Sequence, residues 1–335
     1  MRDLAIVLIY AAALGYALWK RSAFIAILVF FWISFMNPHR YSWGFAYNLP
    51  LAMGSVAITF VTMALQFNQL KWPKARELYF FFLLWLFITI TTIFSMYPPW
   101  AWEKWSIVNK ILLMTFVSML IINTKNRLII FLFAVIFFIG AVGIKGAVFG
   151  FLTGGKYKVW GPPESFLEDN NGLGLCMVML LPLSLFLKDL FAKKWLRTGM
   201  LGIAGALAVS AVLTYSRGAL VGLVMVFLYY FLFAKHKLRI AIVGIVIAST
   251  AFSVLPKEWF DRMTTIGDYE EDESANMRLN SWAMAANLAL DNPLGGGFNC
   301  FTRENYQKYA PDPDLGFAGS SPDEIFGSTA HSVYF

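Results

Sequence analysis

The chain has 335 residues, of which 59% are hydrophobic and 14% charged, and its formal net charge is +7. Soluble domains are ~45–50% apolar, so this composition excludes a soluble fold and favours a membrane protein. Positive charge is typical of cytoplasmic loops, so we expect no nucleic-acid partner. Cys176 and Cys300 lack the spacing of a zinc site or disulfide framework.

Ten apolar segments are predicted to form transmembrane helices, each near or somewhat below the ~20 residues that span a bilayer. They cover residues 4–19, 23–36, 51–66, 77–96, 106–122, 128–150, 172–191, 195–213, 218–234 and 238–255. Their continuous apolar runs exclude a β-barrel. We therefore predict an all-α fold, a polytopic transmembrane helix bundle over residues 1–255. A long polar loop over 256–332 follows, and 333–335 looks like the start of a further helix, with about twelve helices expected in a complete chain.

Lysine and arginine collect in alternate loops, which is typical of loops that face the cytoplasm. These basic loops lie around residues 20–21, 71–76, 125–127, 188–197 and 235–239. The other loops and the long polar segment are then expected outside, in the periplasm of a bacterium with an outer membrane. Ten complete crossings would place the N-terminus outside too. Because Arg2 argues weakly against that, the orientation of the first two helices stays open.

Lys145 lies in Gly143-Ile144-Lys145-Gly146, near the outer end of the sixth apolar segment. A lysine in a bilayer is costly unless it snorkels or faces a polar cavity, so snorkelling and anion binding are both open. A rigid, basic and aromatic loop, Gly154–Pro163, follows. Asp169, Asn170 or Asn171 is expected to cap the seventh helix. Capping alone is favoured over ligand contact, although such a helix terminus also suits a phosphate.

Arg217 lies in Thr214-Tyr215-Ser216-Arg217-Gly218, a very short turn between the eighth and ninth segments. This turn would hold the arginine at the outer mouth of the bundle with little freedom. An interfacial arginine that binds lipid headgroups is the alternative. A function is favoured, because a lone arginine is more usual in a cytoplasmic turn.

An amphipathic helix is predicted over residues 276–290, too short and too polar to span a membrane. Its apolar residues have the spacing of one helical face, and they are Leu279, Trp282, Ala283, Ala286, Ala289 and Leu290. Ser274 or Asn276 is expected to cap it, and Pro293 with Gly295–Gly297 to end it. A phosphate nest in these glycines is the less favoured interpretation. Arg278 in the first turn opposes the helix dipole, so it is a candidate for anion contact.

Two acidic stretches and three histidines complete the polar inventory. Residues 268–273 and Asp312-Pro313-Asp314 could bind a cation, but solvated loops and turn chemistry are favoured. We therefore predict no metal and no cofactor. His39 and His236 are interpreted as incidental, whereas an imidazole at His331 could accept a proton at neutral pH.

The motifs in order resemble the O-antigen ligase and polymerase superfamily of membrane glycosyltransferases. They are Ser216-Arg217-Gly218, Arg278 with Trp282 and Asn292-Pro293-Leu294-Gly295, and Ala330-His331-Ser332. The stretch from Lys145 through Gly161-Pro162-Pro163 to Glu168–Asn171 is similar to a branch of putative O-glycosylation ligases associated with exosortase systems. The resemblance covers most of the chain. Members of the superfamily carry further helices after the histidine.

The resemblance implies metal-independent ligation of a glycan from undecaprenyl diphosphate to a hydroxyl acceptor at the periplasmic face of the inner membrane, with membrane lipids around the protein. Lipid A–core would accept the O-antigen. Arg217 and Arg278 would stabilise the leaving diphosphate, and Lys145, Asn170 and Asn171 would contact the substrate. His331 would take the acceptor proton from within the large catalytic loop. A single displacement would invert the sugar's configuration.

Three alternatives stay open. A polysaccharide polymerase would use the same donor with a growing glycan as acceptor, and a protein O-glycosylation ligase would modify protein hydroxyls. A lipid-linked glycan flippase would bind the donor without chemistry. A flippase is expected to line a central cavity with charges from many helices. The candidate residues here gather on one side, which favours an enzyme.

Overall fold

The computed structural model describes residues 1–238, 241–242, 244–245, 249, 255–264, 273–317 and 324–329. These residues form helices and connecting loops, with an isolated antiparallel bridge between Thr302 and Phe326. The all-α prediction is confirmed for this part of the chain.

The first nine helices of the described residues correspond to the first nine predicted apolar segments, and two of the later short helices, Lys257–Thr264 and Arg303–Tyr309, were not predicted. The described helices are α1 Arg2–Trp19, α2 Ala23–Met36, α3 Leu51–Leu65, α4 Glu77–Ile93, α5 Pro98–Ile121, α6 Lys125–Leu152, α7 Asn170–Lys188, α8 Lys194–Leu213, α9 Arg217–Phe233, α10 Lys257–Thr264, α11 Glu273–Asp291 and α12 Arg303–Tyr309. Short 3₁₀ turns cover Pro38–Tyr41, Phe67–Gln69 and Leu315–Phe317. The predicted segment 238–255 falls largely outside the described residues.

Helix α5 begins at Pro98, eight residues before its predicted start. Two prolines open the helix and the charged residues Glu103 and Lys104 follow in its second turn, so a search for a continuous apolar run did not include this part. Proline suits this position because the first helical residues have no intrahelical N–H partner to lose.

Five described helices, α1, α5, α6, α7 and α8, are long and apolar enough to cross a membrane. The apolar helices α2, α3, α4 and α9 are shorter, with 14, 15, 17 and 17 residues. Ten complete crossings therefore stay a prediction.

The first of two compact units consists of residues 1–71 and 121–263, and its core lies where α6, α7 and α8 meet. The most deeply buried side chains there include Ile136, Ile139, Leu173 and Met177. Helices α6 and α8 approach closely, since a Cβ added at Gly143 would lie 3.2 Å from the Leu207 side chain. The Ser210 hydroxyl donates to the Gly143 carbonyl at 2.5 Å. Small residues and interhelical hydrogen bonds of this kind hold helices together in a bilayer.

Three loops meet at one end of the first unit, which we call the loop end. They are residues 37–50, 153–169 and 214–216. Asn37 Nδ2 donates to the Pro163 carbonyl at 2.9 Å, and the Tyr215 hydroxyl donates to the Gly155 carbonyl at 2.7 Å. The first unit therefore brings together the loops that follow α2, α6 and α8.

The opposite end of the first unit carries basic loops. Gln66 accepts a hydrogen bond from the first backbone N–H of α2 at 3.3 Å, and the Arg127 guanidinium lies 5.6 Å from the Phe24 ring centre. The start of α1 lies at the loop end, because Asp3 Oδ1 accepts from a backbone N–H of the 37–50 loop at 3.0 Å. Within this unit, α1 and α2 thus run antiparallel, as two successive crossings require.

The second unit consists of residues 72–120 and 264–335 and contains α4, most of α5, α11 and α12. The turn between α4 and α5 is bonded to the polar segment. Met96 N donates to the Gly296 carbonyl at 3.1 Å, and Asn299 Nδ2 donates to the Trp100 carbonyl at 3.0 Å. A small core lies beneath α11, formed by Met284, Leu288, Tyr306, Tyr309 and Phe317.

Candidate functional site

Arg217 is the first residue of α9 and follows a turn whose backbone is closely held. The carbonyls of residues 212, 213 and 214 accept hydrogen bonds from Trp259 Nε1, Val159 N and Asn170 Nδ2, at 3.0, 2.9 and 2.8 Å. These donors come from three separate parts of the first unit. We call residues 212–217, with these contacts, the Arg217 turn.

The two residues immediately before Arg217 are fixed as well. Tyr215 adopts the left-handed conformation, with φ of 59°, although its side chain is only 5% exposed. Such a backbone costs roughly 1–2 kcal/mol for a residue with a Cβ. The buried ring and its hydroxyl bond to Gly155 hold it there. Ser216 caps α9 by accepting from Ala219 N at 3.3 Å. Arg217 therefore extends from a fixed backbone and is itself partly exposed.

The start of α7 supports the Arg217 turn. Asp169 is the N-cap residue, and its carboxylate accepts from Gly172 N at 2.8 Å, which confirms the predicted cap. Asn170 is 6% exposed, and its amide donates to the Thr214 carbonyl. Asn171 is exposed. Asn170 thus contacts the protein's own backbone, and a substrate contact by Asn170 or Asn171 stays a prediction.

An ion pair joins the 37–50 and 153–169 loops. Arg40 lies 2.9 Å from the Glu164 carboxylate, which also accepts from the Tyr47 hydroxyl at 2.6 Å. This hydrogen bond raises the pKa of the Tyr47 hydroxyl. Tyr47 and Glu164 are 117 residues apart in the chain. No local pattern could therefore have identified this contact.

Lys145 lies near the loop-end terminus of α6, and its side chain is exposed. The ammonium lies 4.0 Å from the centre of the Tyr41 ring, within cation–π distance. The side chain thus reaches the 37–50 loop, as expected for a snorkelling lysine. An exposed ammonium is also compatible with anion binding, so both interpretations stay open.

His39 is the buried titratable group of the loop end that the sequence interpretation set aside. It is 4% exposed, and among the described residues its Nδ1 has no hydrogen-bond partner. Burial lowers the pKa of the imidazole, the neighbouring Arg40 lowers it further, and Glu164 opposes them. His39 is therefore a neutral ring at physiological pH.

Arg278 lies in the second unit, in the second turn of α11, and is exposed. The helix is confirmed, and its described part runs from Glu273 to Asp291. The predicted caps Ser274 and Asn276 are therefore wrong, because both lie inside the first turn. Of the predicted apolar face, Leu279 and Leu290 are 48% and 82% exposed. Trp282 and Ala283 of the same face are partly buried, and contact of this face with lipid stays a prediction.

The opposite face of α11 packs through polar side chains. Asn280 donates to the Asp312 carbonyl at 2.6 Å and accepts from Asp312 N at 3.0 Å. The Ser281 hydroxyl lies 2.6 Å from the Tyr306 hydroxyl, and Asn287 donates to the Tyr309 carbonyl at 2.8 Å. Because their hydrogen bonds are satisfied, Asn280 and Ser281 are buried although they look like surface residues in sequence, whereas Asn287 is exposed.

The acidic motifs have local roles where the structure describes them. Asp312 Oδ1 accepts from the backbone N–H groups of Asp314 and Leu315, both at 3.1 Å, which confirms turn chemistry in Asp-Pro-Asp. Within the described ranges, no group of three or more His, Cys, Asp or Glu side chains could hold a metal ion. Nearly all of the run 268–273 lies outside the described residues. Metal independence stays a prediction.

The glycine run after α11 forms a turn that contacts protein. Gly295 and Gly297 have φ of 75° and 77°, which suits glycine. The Gly296 carbonyl accepts from Met96 N at 3.1 Å and from Ser95 Oγ at 3.2 Å. A Cβ at Gly297 would lie 2.6 Å from Ser95. These contacts favour the helix stop over a phosphate nest.

The predicted site residues are thus distributed between the two units. The first unit brings the Arg217 turn and the 153–169 loop together, and Lys145 contacts the same loop end. Arg278 belongs to the second unit. His331 lies outside the described residues.

Comparison with known families gives two matches that together cover most of the chain. Residues 1–191 match a family of unknown function (DUF5935), and residues 201–335 match a family model described as O-antigen ligase. The first match includes Lys145, and the second includes Arg217, Arg278 and His331. No curated protein and no solved structure showed significant similarity to the chain.

Proposed function

Because the chain belongs to the O-antigen ligase and polymerase superfamily, we propose that it transfers a glycan from undecaprenyl diphosphate to a hydroxyl acceptor at the periplasmic face of the inner membrane. The family supports glycosyl transfer of the ligase or polymerase type in general, and with the apolar helices it supports a multi-pass membrane protein. The donor, the acceptor and the side of the membrane are the proposal.

The Arg217 turn is the observation that carries this proposal. A departing lipid diphosphate develops negative charge as its bond to the sugar breaks. A guanidinium stabilises such charge through paired hydrogen bonds, most effectively when it is already positioned. The bonded carbonyls of residues 212–214 and the cap at Ser216 supply that positioning. Arg217 therefore binds the diphosphate with little loss of backbone conformational entropy.

The remaining roles follow from chemistry and placement. Arg278 is an exposed guanidinium that supplies a second diphosphate contact. Lys145 assists as an exposed ammonium above Tyr41. His331 takes the proton from the acceptor hydroxyl as it attacks the anomeric carbon. One displacement inverts the configuration of the sugar.

Charge distribution supports the periplasmic side. Lys20, Arg21 and Arg127 lie at the end of the first unit opposite the Arg217 turn. Basic loops favour the cytoplasm, which leaves the loop end outside. Lipid A–core is the acceptor that we favour. A growing glycan or a protein hydroxyl would define a polymerase or a protein O-glycosylation ligase with the same donor.

The test is reconstitution of the purified protein in liposomes with a defined undecaprenyl-diphosphate glycan. Separate reactions receive lipid A–core, free glycan or an acceptor protein, each with and without EDTA. We expect glycan transfer to lipid A–core that survives the chelator. Transfer to free glycan or protein would identify one of the alternatives, and movement of intact donor across the bilayer without transfer would overturn the proposal. Loss of transfer in EDTA with rescue by Mg²⁺ or Mn²⁺ would overturn metal independence.

A further inference from the structure

Three aromatic rings lie in a row in the second unit. The ring centres of Tyr97 and Trp100 are 5.3 Å apart, and those of Trp100 and Phe326 are 5.0 Å apart. Tyr97 and Trp100 are partly exposed, and Phe326 is 38% exposed. The backbone of Trp100 is held in place, because Asn299 Nδ2 donates to its carbonyl at 3.0 Å. We call these three residues the aromatic row.

Polar groups border the aromatic row at Tyr97. Its hydroxyl donates to Glu304 Oε2 at 2.9 Å and accepts from the Thr302 hydroxyl at 3.0 Å. Glu304 is exposed, and Thr302 is buried as the N-cap of α12. The carboxylate is therefore fixed at the end of the row, with hydrogen-bonding capacity left for a ligand.

This combination has the chemistry of a sugar-binding surface. A pyranose presents a face of C–H bonds, which are weakly positive, and aromatic rings present negative faces. The hydroxyl groups around the sugar are donors that a carboxylate accepts. The alternative is an aromatic belt at the membrane interface, which also consists of tyrosine and tryptophan rings. A fixed and exposed carboxylate beside the rings favours a hydroxyl-rich ligand over lipid tails.

We propose that the aromatic row with Glu304 is a subsite for pyranose rings of a glycan. This inference rests on the proposed function, because donor and acceptor glycans are the two sources of such rings. It adds a binding surface to the second unit that includes none of the residues proposed to contact the diphosphate.

The backbone that carries Phe326 also leads towards the Arg278 helix. Phe326 bridges to Thr302, and two residues later the Ser328 carbonyl accepts from Ser281 Oγ at 3.2 Å. Ser281 is one turn after Arg278 on α11. A glycan on the row therefore lies on the same folded segment as the second candidate for the diphosphate.

The experiment compares Trp100→Ala with Trp102→Ala in the full-length protein. Trp102 is a matched control, because it is 41% exposed on the same helix, and its ring packs against Trp105 at 5.1 Å. Two residues along a helix are about 200° apart, so it faces away from the row. KM is measured separately for the undecaprenyl-diphosphate glycan and for lipid A–core. Saturation-transfer NMR with the delipidated core oligosaccharide reports binding without turnover.

We expect Trp100→Ala to raise one KM about tenfold, which corresponds to about 1.4 kcal/mol, with Trp102→Ala unchanged. The KM that rises identifies the donor or the acceptor as the source. Trp100→Phe, which keeps an aromatic face, should restore most of the affinity, and this rescue separates binding from misfolding. Glu304→Gln should raise the same KM.

Two results would overturn the subsite: unchanged KM values in Trp100→Ala, or an equal rise in Trp102→Ala. The second would show a general aromatic belt. Either result with active wild-type protein leaves the proposed function intact. Conversely, core oligosaccharide that binds wild-type protein but not Trp100→Ala, with no transfer by wild type, would retain the subsite and reject the transferase.

Discussion

The two candidate arginines lie in contrasting surroundings. Arg217 follows a turn in which three successive carbonyls are bonded by side chains and backbone from elsewhere in the first unit. Arg278 is exposed on α11, a helix that packs through its other face. The backbone is ordered in both cases. The tertiary hydrogen bonds beside Arg217 come from the residues that precede it, whereas those beside Arg278 come from Asn280 and Ser281, which follow it.

We therefore expect two guanidiniums of equal charge to contribute unequally to donor binding. Ordering a long side chain costs roughly 0.5–1.5 kcal/mol at the moment of binding. We expect Arg217 to lose less freedom, because the backbone that carries it is held before the donor arrives. We expect the ligand to order Arg278, which is exposed. We therefore expect Arg217 to dominate donor binding and Arg278 to add to it.

The largest expected effect is that of replacing His331. It tests whether His331 supplies the general base while the two arginines bind the diphosphate. If His331 is the general base, His331→Ala lowers transfer by ~10²–10⁴, while donor affinity persists because the base need not touch the diphosphate. Single-turnover transfer and donor affinity are measured on the same preparation. His236→Ala is the control, since His236 follows α9 at the end opposite the Arg217 turn. Loss of donor binding in His331→Ala would place His331 in the diphosphate site, and near wild-type transfer would place the base elsewhere.

Replacement of each arginine by lysine tests the comparison directly. Lysine keeps the charge but loses the planar, two-pronged geometry. One lost charge-assisted contact of ~1.5–3 kcal/mol corresponds to roughly a 10- to 150-fold fall in catalytic efficiency. We expect Arg217→Lys in the upper part of this range and Arg278→Lys near tenfold. Arg21→Lys, at the opposite end of the first unit, is the control and should be neutral. A larger fall in catalytic efficiency for Arg278→Lys than for Arg217→Lys would contradict the expectation that Arg217 dominates donor binding.

The sequence predicted both arginines as candidate residues, but it predicted only the local part of their surroundings. The helices, the cap at Asp169, the turn at Asp312 and the stop after α11 follow from local patterns of apolar, capping and turn residues. Arg217 could be identified from the sequence because it lies in a short turn between two apolar runs, and such a turn is also a local pattern. Trp259 supports the turn by bonding to the Val212 carbonyl, 47 residues away in the chain, and no local pattern in the sequence predicts such a contact.

The polar face of α11 was missed for a related physical reason. An apolar pattern assumes that buried side chains are apolar, yet Asn280 and Ser281 are buried with their hydrogen bonds satisfied. Their partners lie in the segment around Tyr306 and Asp312. Burial of a polar group depends on a partner that only the fold supplies.

Asn170 and its neighbour Asn171 test how the Arg217 turn is held. Asn170→Ala leaves the buried Thr214 carbonyl without its 2.8 Å donor. We expect a loss of ~1–3 kcal/mol in the free energy of unfolding and about a tenfold fall in transfer, because a small displacement of Arg217 is costly. Asn171→Ala should leave the unfolding transition unchanged and at most weaken donor binding. Equal destabilisation by the two changes would contradict a specific support at Asn170.

The smallest expected effect is a pH dependence of protein stability caused by His39 at the loop end. Burial and Arg40 lower the pKa of His39 below 6.5, and Glu164 partly opposes them. The folded protein therefore favours the neutral imidazole, whereas the unfolded chain takes up a proton near pH 6.5. The stability that His39 contributes is complete above pH 6.5 and is lost as the pH falls towards the lowered pKa.

Thermal unfolding of the wild type and His39→Phe between pH 8 and pH 5 measures this contribution. Phenylalanine keeps an aromatic ring of comparable size but cannot titrate, so the difference between the two proteins isolates the imidazole. We expect the wild-type midpoint to fall relative to the variant below pH 6.5, and donor binding to weaken in parallel, since protonated His39 faces Arg40 beside the ion pair to Glu164. The effect is small because Glu164 offsets part of the repulsion. Identical pH profiles would contradict a lowered pKa of the buried His39 imidazole.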